Sequence, residues 1–280
     1  MSDQVLKAGV IGWPIDHSLS PHLHGYWLKE YNINGVYEAF AVEPENLETH
    51  LRGLADQGRR GINVTLPHKE AVLAMVDQAD DQARKIGAVN TVVVQADGTL
   101  YGSNSDGFGF LENVKDHQPL WRADKGPAVV LGAGGAARAI LIALQGAGAP
   151  EIRLLNRTKS RADDLAVELG GSIKIGDWEN RAEILAEAET LVNTTSLGMQ
   201  GQSMLDIDLA QLPETALVTD IVYTPLETDL LKNAKARGNP TVDGLGMLLH
   251  QARPGFAAWF GVEPEVTDEL RSHILSVMAN

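Results

Sequence analysis

One stretch limits what this chain can fold into: Ala128-Val129-Val130-Leu131-Gly132-Ala133-Gly134-Gly135-Ala136-Ala137-Arg138. A short apolar run enters a glycine turn and leaves into a helix written by Ala136 to Leu144. Gly132, Gly134 and Ala137 fill the three slots of the G-x-G-x-x-G/A fingerprint, in which the backbone turns sharply and comes close to a pyrophosphate. The helix start then offers free N–H groups and the positive end of its dipole to that anion. A bare match is weak, but here a strand precedes the turn, a helix follows it, and a second strand, Glu151 to Leu155, closes a βαβ unit. The reading is a dinucleotide-binding unit.

The end of that second strand selects the cofactor. An NAD site tends to place an acid there for the ribose 2′-hydroxyl. This chain instead reads Asn156-Arg157-Thr158-Lys159-Ser160-Arg161, with three cations in six residues and no acid. Guanidinium groups meet a phosphate bidentately, so the segment predicts NADP(H). The rest of the chain gives the cluster its meaning. Across 280 residues the net charge is −14, which argues against nucleic acid or an anionic membrane as partner. There is no cysteine, hence no disulfide framework and no thiol nucleophile. The residues from Met1 to Pro14 lack the pattern of a signal peptide, and no apolar run has the length of a membrane span, so the expected location is the cytoplasm.

Before the glycine loop the chain alternates short strands and helices. Strands are expected at Lys7–Ile11, Val36–Val42, Gly61–Leu66 and Ala88–Val94, and helices at Ser20–Tyr31, Asn46–Gln57 and Glu70–Ile86. Ser18 and Ser20 flank a helix start, where they suit a substrate carboxylate, or Ser20 serves only as N-cap. In Gly61 to Leu66, alternation places Ile62, Val64 and Leu66 on one face and Asn63 and Thr65 on the other. Lys69 falls in the first turn after Pro67, against the positive end of the helix dipole, which marks it as a candidate acid or base. Asp106 stands where the next helix begins, as N-cap or as a partner for Lys69. His17, His22 and His24 have no acidic motif beside them, so no metal site is expected.

After the loop, helices are expected at Arg161–Leu169, Arg181–Ala188, Thr228–Arg237 and Met247–Trp259, and strands at Gly171–Ile175, Glu189–Thr194 and Ala216–Val222. The small polar residues from Thr194 to Ser196, at a strand end, suit a cofactor ribose or nicotinamide. The apolar C-terminal stretch exceeds what a Rossmann half needs. It is expected to pack back on the first domain, giving two α/β domains. An open α/β substrate domain spans 1–105 plus 245–280, and a Rossmann NADP-binding domain spans 106–244.

Together these stretches resemble the shikimate/quinate dehydrogenase family. The resemblance rests on His17-Ser18-Leu19-Ser20-Pro21, Asn63-Val64-Thr65-Leu66-Pro67-His68-Lys69, Gly87-Ala88-Val89-Asn90-Thr91, Gly132 to Arg138, Asn156-Arg157-Thr158, Asn193 to Met199 and Gly244-Leu245-Gly246-Met247-Leu248. It runs from Gly12 to about Gly261. It implies reversible reduction of 3-dehydroshikimate by NADPH, in a cleft that closes between the domains, by a monomer or homodimer. Ser18 and Ser20 match carboxylate binders, and Thr65, Asn90, Asp106 and Gln251 match holders of the ring hydroxyls, with Tyr223 nearby. Lys69 matches the catalytic lysine, with Asp106 beside it. Gly132, Ala133, Gly134, Gly135 and Ala136 match the pyrophosphate loop, and Asn156, Arg157, Thr158 and Arg161 the 2′-phosphate clamp. Ile221 and Gly244 match backbone contacts near the nicotinamide, and Asp81 a cofactor-side acid.

Two positions depart from the family pattern. Gly25 stands where the family has Asn, and Ser105 where it has Thr. Both bear on ring-pocket specificity and neither removes a catalytic group. The alternatives are a broad quinate/shikimate dehydrogenase and a non-catalytic NADP(H)-binding regulator on the same scaffold. The presence of both Lys69 and Asp106 argues against the regulator. A serine hydrolase is excluded by the lack of a G-x-S-x-G elbow.

Overall fold

The computed structural model describes residues 5–279. Residues 1–4 and 280, at the ends of the expected first domain, lie outside the described residues. The described residues form two compact units, residues 5–105 with 249–279 and residues 106–248.

The first unit opens with β1 (Leu6–Gly12), α1 (Ser20–Glu30) and β2 (Gly35–Ala41). It continues with α2 (Leu47–Arg52), β3 (Gly61–Val64), α3 (Lys69–Met75), β4 (Gln78–Ala79), α4 (Asp81–Ile86), β5 (Thr91–Val94) and β6 (Leu100–Ser103). The six strands form one sheet in the order β2-β1-β3-β5-β6-β4. β1 is parallel to both neighbours, whereas β5 is antiparallel to β3 and β6. Ile11, Ile62, Val64 and Val92 pack with Leu47, Leu51, Leu54 and Val72 into one apolar cluster.

Four local expectations give way here. The helix expected at Asn46–Gln57 is only Leu47–Arg52, because Gly53 follows it and Gly58 turns at φ 66°. The helix expected at Glu70–Ile86 is broken in two. The Asp77 carboxylate accepts from Leu100 N–H at 2.7 Å and from Arg52, which holds the chain extended. Asp80 then accepts from Ala83 N–H at 2.6 Å and starts a new helix as its N-cap. The alternation expected along Gly61–Leu66 holds inside β3, where Ile62 and Val64 join the apolar cluster and Asn63 meets Tyr37, but it stops at Leu66, which lies past the strand end and is 75% exposed. Ser20 is not an N-cap. Leu19 occupies that position, Ser20 is the first helical residue, and Ser18 Oγ accepts the Ser20 N–H at 3.3 Å.

The second unit contains α5 (Asp106–His117), β7 (Ala128–Leu131), α6 (Gly135–Gly146), β8 (Ile152–Leu155), α7 (Lys159–Leu169) and β9 (Ile173–Gly176). After these come β10 (Thr190–Asn193), β11 (Leu217–Asp220), α8 (Asp229–Arg237) and β12 (Thr241–Val242). The sheet order is β12-β11-β10-β7-β8-β9, all parallel. Counted within this unit it is the doubly wound order, and its switch point lies between β7 and β10. Apolar clusters cover both faces, as a parallel sheet requires.

Arg181–Ala188 is not a helix. Arg153 donates to the carbonyls of Ile184 and Ala186 at 2.7 and 2.6 Å, and Glu187 turns at φ 62°, leaving only a 3₁₀ turn at Glu183–Leu185.

α9 (Leu245–Phe260) carries the chain across the unit boundary, and α10 (Asp268–Met278) completes the first unit. Trp259 Nε1 donates to the Val92 carbonyl at 3.0 Å, and Trp27 Nε1 to that of Glu265 at 2.9 Å, tying the C-terminal segment to β5 and α1. No helix among the described residues is long and apolar enough to cross a membrane.

Candidate active site

In the first unit a polar network joins β2 and β3 to the start of β5, the residues after β6 and α9. Tyr37 Oη donates to Asn63 Oδ1 at 2.6 Å. Asn63 Nδ2 donates to the Asn90 carbonyl at 3.1 Å and to Thr91 Oγ1 at 3.2 Å. Asn90 Oδ1 accepts from Thr91 Oγ1 and from the backbone N–H of Ser105. Asn90 Nδ2 reaches Gln251 Oε1 at 3.5 Å, and Ser105 Oγ donates to the Gln251 carbonyl at 2.7 Å. The structure therefore brings Asn90, Ser105 and Gln251 into one network although they are far apart in sequence. Asn63 and Asn90 are almost fully buried and have their hydrogen bonds met, which fixes their rotamers.

Lys69 is the first residue of α3, and its carbonyl accepts from Val89 N–H at 2.8 Å, beside Asn90. Its neighbour His68 is buried, with Nε2–H donating to the Val42 carbonyl at 2.7 Å. This anchors the start of α3 so that Lys69 remains partly exposed. Thr65 and Ser18 are also partly exposed. Asp81 is exposed on α4, in this same unit.

The second unit holds the other group of predicted residues. Gly132 follows β7 at φ 108°, a conformation that favours glycine, and a Cβ there would meet Thr194 Oγ1 at 2.6 Å. Thr194 Oγ1 in turn donates to the Leu131 carbonyl at 2.7 Å, so Gly132 and Thr194 face each other across the switch point. Ala137 is fully buried at the close approach of helix and strand. Gly134 and Gly135 differ from Gly132, since a Cβ on either would meet nothing in the protein within 4 Å. Packing does not ask for glycine there, and the open space over the unfilled N-terminus of α6 fits a pyrophosphate.

At the end of β8, Arg157 and Arg161 carry no ion pair among the described residues, and α7 has no acid in its first turn. Lys159 is engaged by Asp163 at 2.7 Å. Asn156 Nδ2 donates to the Thr158 carbonyl at 2.8 Å and shapes the turn. Two unpaired guanidinium groups beside a helix N-terminus fit a ribose 2′-phosphate.

Asp106 begins α5, which lies against α6, where a Cβ on Gly107 would sit 3.0 Å from the Ala139 carbonyl. Gly244 abuts the Ile221 carbonyl too closely for any side chain. Burial raises the Tyr223 phenol pKa, so its hydroxyl stays protonated.

Sequence reasoning did not find Tyr37, or the pair Asn193 and Asp220. Asp220 is buried and accepts from Asn193 Nδ2, Val222 N–H and Thr228 Oγ1 at 3.0, 3.0 and 2.8 Å. Burial raises its pKa against these three donors. Asn193 Oδ1 accepts from Thr195 N–H, so this carboxylate fixes the loops that follow β10 and β11. Polar residues in register at the ends of adjacent strands were the available signal. Among the described residues no group of three or more His, Asp or Glu side chains is placed to hold a metal ion.

A Rossmann unit with cations for a 2′-phosphate, together with a second α/β unit bearing a buried polar network and a lysine, defines a nicotinamide-dependent oxidoreductase fold. Residues 10–92 match the profile described as the shikimate dehydrogenase substrate binding domain, and residues 117–224 that of shikimate / quinate 5-dehydrogenase. The chain is 59% identical to a shikimate dehydrogenase (NADP(+)) of Paramagnetospirillum magneticum, over 99% of this chain and 100% of that protein. A protein of the same name from Rhodospirillum rubrum is 57% identical over 96% of each chain. Among solved structures, shikimate 5-dehydrogenase of Thermus thermophilus in complex with NADP(H) and shikimate superposes with a TM-score of 0.85 at 39% identity, covering 98% of this chain and 99% of that one. Quinate dehydrogenase of Corynebacterium glutamicum in complex with NAD gives 0.90 at 33% identity, covering 97% and 99%. The chain belongs to the shikimate dehydrogenase family.

Proposed function

We propose that the chain catalyses the reversible, NADPH-dependent reduction of 3-dehydroshikimate to shikimate, a step of the shikimate pathway that leads to the aromatic amino acids. Full-length identity of 59% to an NADP(+)-dependent shikimate dehydrogenase is the observation that carries this reading. Bound NADPH supplies a hydride to the ketone carbon of the substrate. The protein must then hold the substrate and provide a proton to the oxygen that becomes a hydroxyl.

Lys69 provides that proton or stabilises the developing negative charge. Asp106 accepts from a substrate hydroxyl and orients the lysine. Ser18 and Ser20 bind the carboxylate, and Thr65, Asn90 and Gln251 hold the ring hydroxyls, with Tyr223 nearby. Because Asn90 and Gln251 belong to one hydrogen-bonded network, their orientation is set before substrate arrives. Gly132 to Ala136 receive the pyrophosphate, and Asn156, Arg157, Thr158 and Arg161 the 2′-phosphate. Thr194, Ser196, Ile221 and Gly244 line the nicotinamide end, and Asp81 acts as a cofactor-side acid. The unpaired Arg157 and Arg161 favour NADP(H) and, with it, the shikimate-specific reading over broad quinate activity. The protein acts in the cytoplasm.

The test is turnover of shikimate with NADP⁺ by wild type and Lys69→Ala, followed by nicotinamide absorbance. Lys69→Ala loses kcat by a factor of about 10² or more while NADPH binding, read by fluorescence, persists. Near-normal turnover in that variant contradicts the role given to Lys69.

A further inference from the structure

His24 is a buried titratable group with no part in the reaction described above. Its side chain has no exposed surface. The imidazole lies flat on the Tyr37 ring, centroids 3.9 Å apart and planes 3° from parallel. Trp27 meets it edge-on at 5.7 Å, and Phe256 and Trp259 lie at 5.8 and 5.9 Å. Burial lowers the pKa to about 3, so the ring is neutral at physiological pH. The Asn63 side chain lies beside the ring and offsets a little of that effect, but neither nitrogen has a hydrogen-bond partner of good geometry. Buried polar atoms without partners are destabilising, so a core that needed only volume would be better served by Leu or Met.

What the ring offers in return is a flat surface, and Tyr37 uses it. The Tyr37 hydroxyl donates to Asn63 Oδ1 at 2.6 Å. Asn63 continues the chain to the Asn90 carbonyl and to Thr91 Oγ1. The orientation of one phenol therefore governs side chains at β3 and at the start of β5.

We propose that His24 is a positioning residue. Its ring clamps Tyr37 flat, which holds the phenol hydroxyl on Asn63 and so fixes the hydrogen-bonded network that orients Asn90. The proposal rests on the reading of Asn90 as a holder of a substrate ring hydroxyl. An aliphatic side chain at position 24 fills the space but leaves the phenol free to tilt, and the hydroxyl then loses its bond to Asn63.

The experiment is a double-mutant cycle in the full-length enzyme with His24→Leu, Tyr37→Phe and the pair, reading kcat, the KM for shikimate, the KM for NADP⁺ and the melting temperature. Wild type is measured first. Absence of shikimate turnover there overturns the functional reading itself, and the His24 proposal with it. With turnover present, Tyr37→Phe raises the KM for shikimate about fivefold, the scale of one neutral hydrogen bond. It leaves kcat and the KM for NADP⁺ near wild type. His24→Leu reproduces that split, and the double variant is no worse than Tyr37→Phe alone, because both changes act through one hydroxyl. A His24→Leu enzyme that folds and keeps its KM within twofold overturns the proposal, even if its melting temperature has moved. So does a double variant whose effects multiply. Should His24→Leu fail to fold, His24→Met, unbranched and adaptable in a core, takes its place in the same cycle.

Discussion

Removing Arg157 separates the two nicotinamide cofactors. Arg157 and Arg161 stand at the start of α7 without an ion pair among the described residues, so nothing there competes with a 2′-phosphate for them. A unit charge pair about 4 Å apart is worth roughly 4 kcal/mol at an effective dielectric near 20. Both side chains are exposed, so solvent screening brings each contact down to about 1.5 kcal/mol, the low end for charge-assisted hydrogen bonds. Arg157→Ala should therefore raise the KM for NADP⁺ about tenfold, and the double replacement with Arg161→Ala about a hundredfold. NAD⁺ carries no 2′-phosphate, and its KM should stay within about twofold.

Lys159 is the internal control. Its ammonium is 2.7 Å from Asp163, so Lys159→Ala removes a cation that is already neutralised and should change the KM for NADP⁺ only about twofold. The assay is initial velocity at saturating shikimate with each cofactor varied. It is repeated at high salt, where a Debye length of about 3 Å at 1 M should shrink the Arg157 effect. Equal losses for NAD⁺ and NADP⁺, or a Lys159 effect as large as that of Arg157, would refute the reasoning.

The glycine loop and the buried carboxylate give further expectations. Gly132→Ala forces an L side chain to φ 108° and onto Thr194 Oγ1, which should destabilise by about 2–3 kcal/mol and lower the melting temperature by roughly 5 °C or more. Gly134→Ala meets no protein atom within 4 Å, so its melting temperature should hold while its KM for NADP⁺ rises; a fall in both variants alike would mean that packing, not the ligand, selects Gly134. Burial raises the folded-state pKa of Asp220 above the ordinary value of an aspartate, so the folded state binds the proton more tightly and ionisation is destabilising. The stability of Asp220→Asn relative to wild type should accordingly increase as the pH rises from about 4 to 7 in denaturant titrations, and the opposite slope would contradict the burial argument.

The parts of this molecule that local physics determines were legible in the sequence. The run Ala128–Leu131, the turn at Gly132 and the helix from Gly135 follow from apolar content and from a backbone conformation that favours glycine. Arg157 and Arg161 were legible for a related reason, since charges with no internal partner keep the meaning they have in sequence. Long-range hydrogen bonds account for most of the misreadings. Asp77 is held by Leu100 and Arg52, and the Ile184 and Ala186 carbonyls by Arg153, and each bond dissolves a helix that periodicity favours. The alternation of Ile62 and Val64 against Asn63 was legible within β3, and only Leu66, beyond the strand end, departs from it. His24 read as a rejected metal ligand because nothing local announces a stack on Tyr37, thirteen positions away and on another element. The network joining Asn90 to Gln251 was likewise accessible only through resemblance.

The most direct test crosses shikimate and quinate with NADP⁺ and NAD⁺, using purified protein and nicotinamide absorbance. Strong turnover is expected with shikimate and NADP⁺ and little in the other three combinations. Comparable rates with quinate or NAD⁺ would contradict the specificity drawn from Arg157 and Arg161, and no turnover in any combination would contradict the assignment as a dehydrogenase.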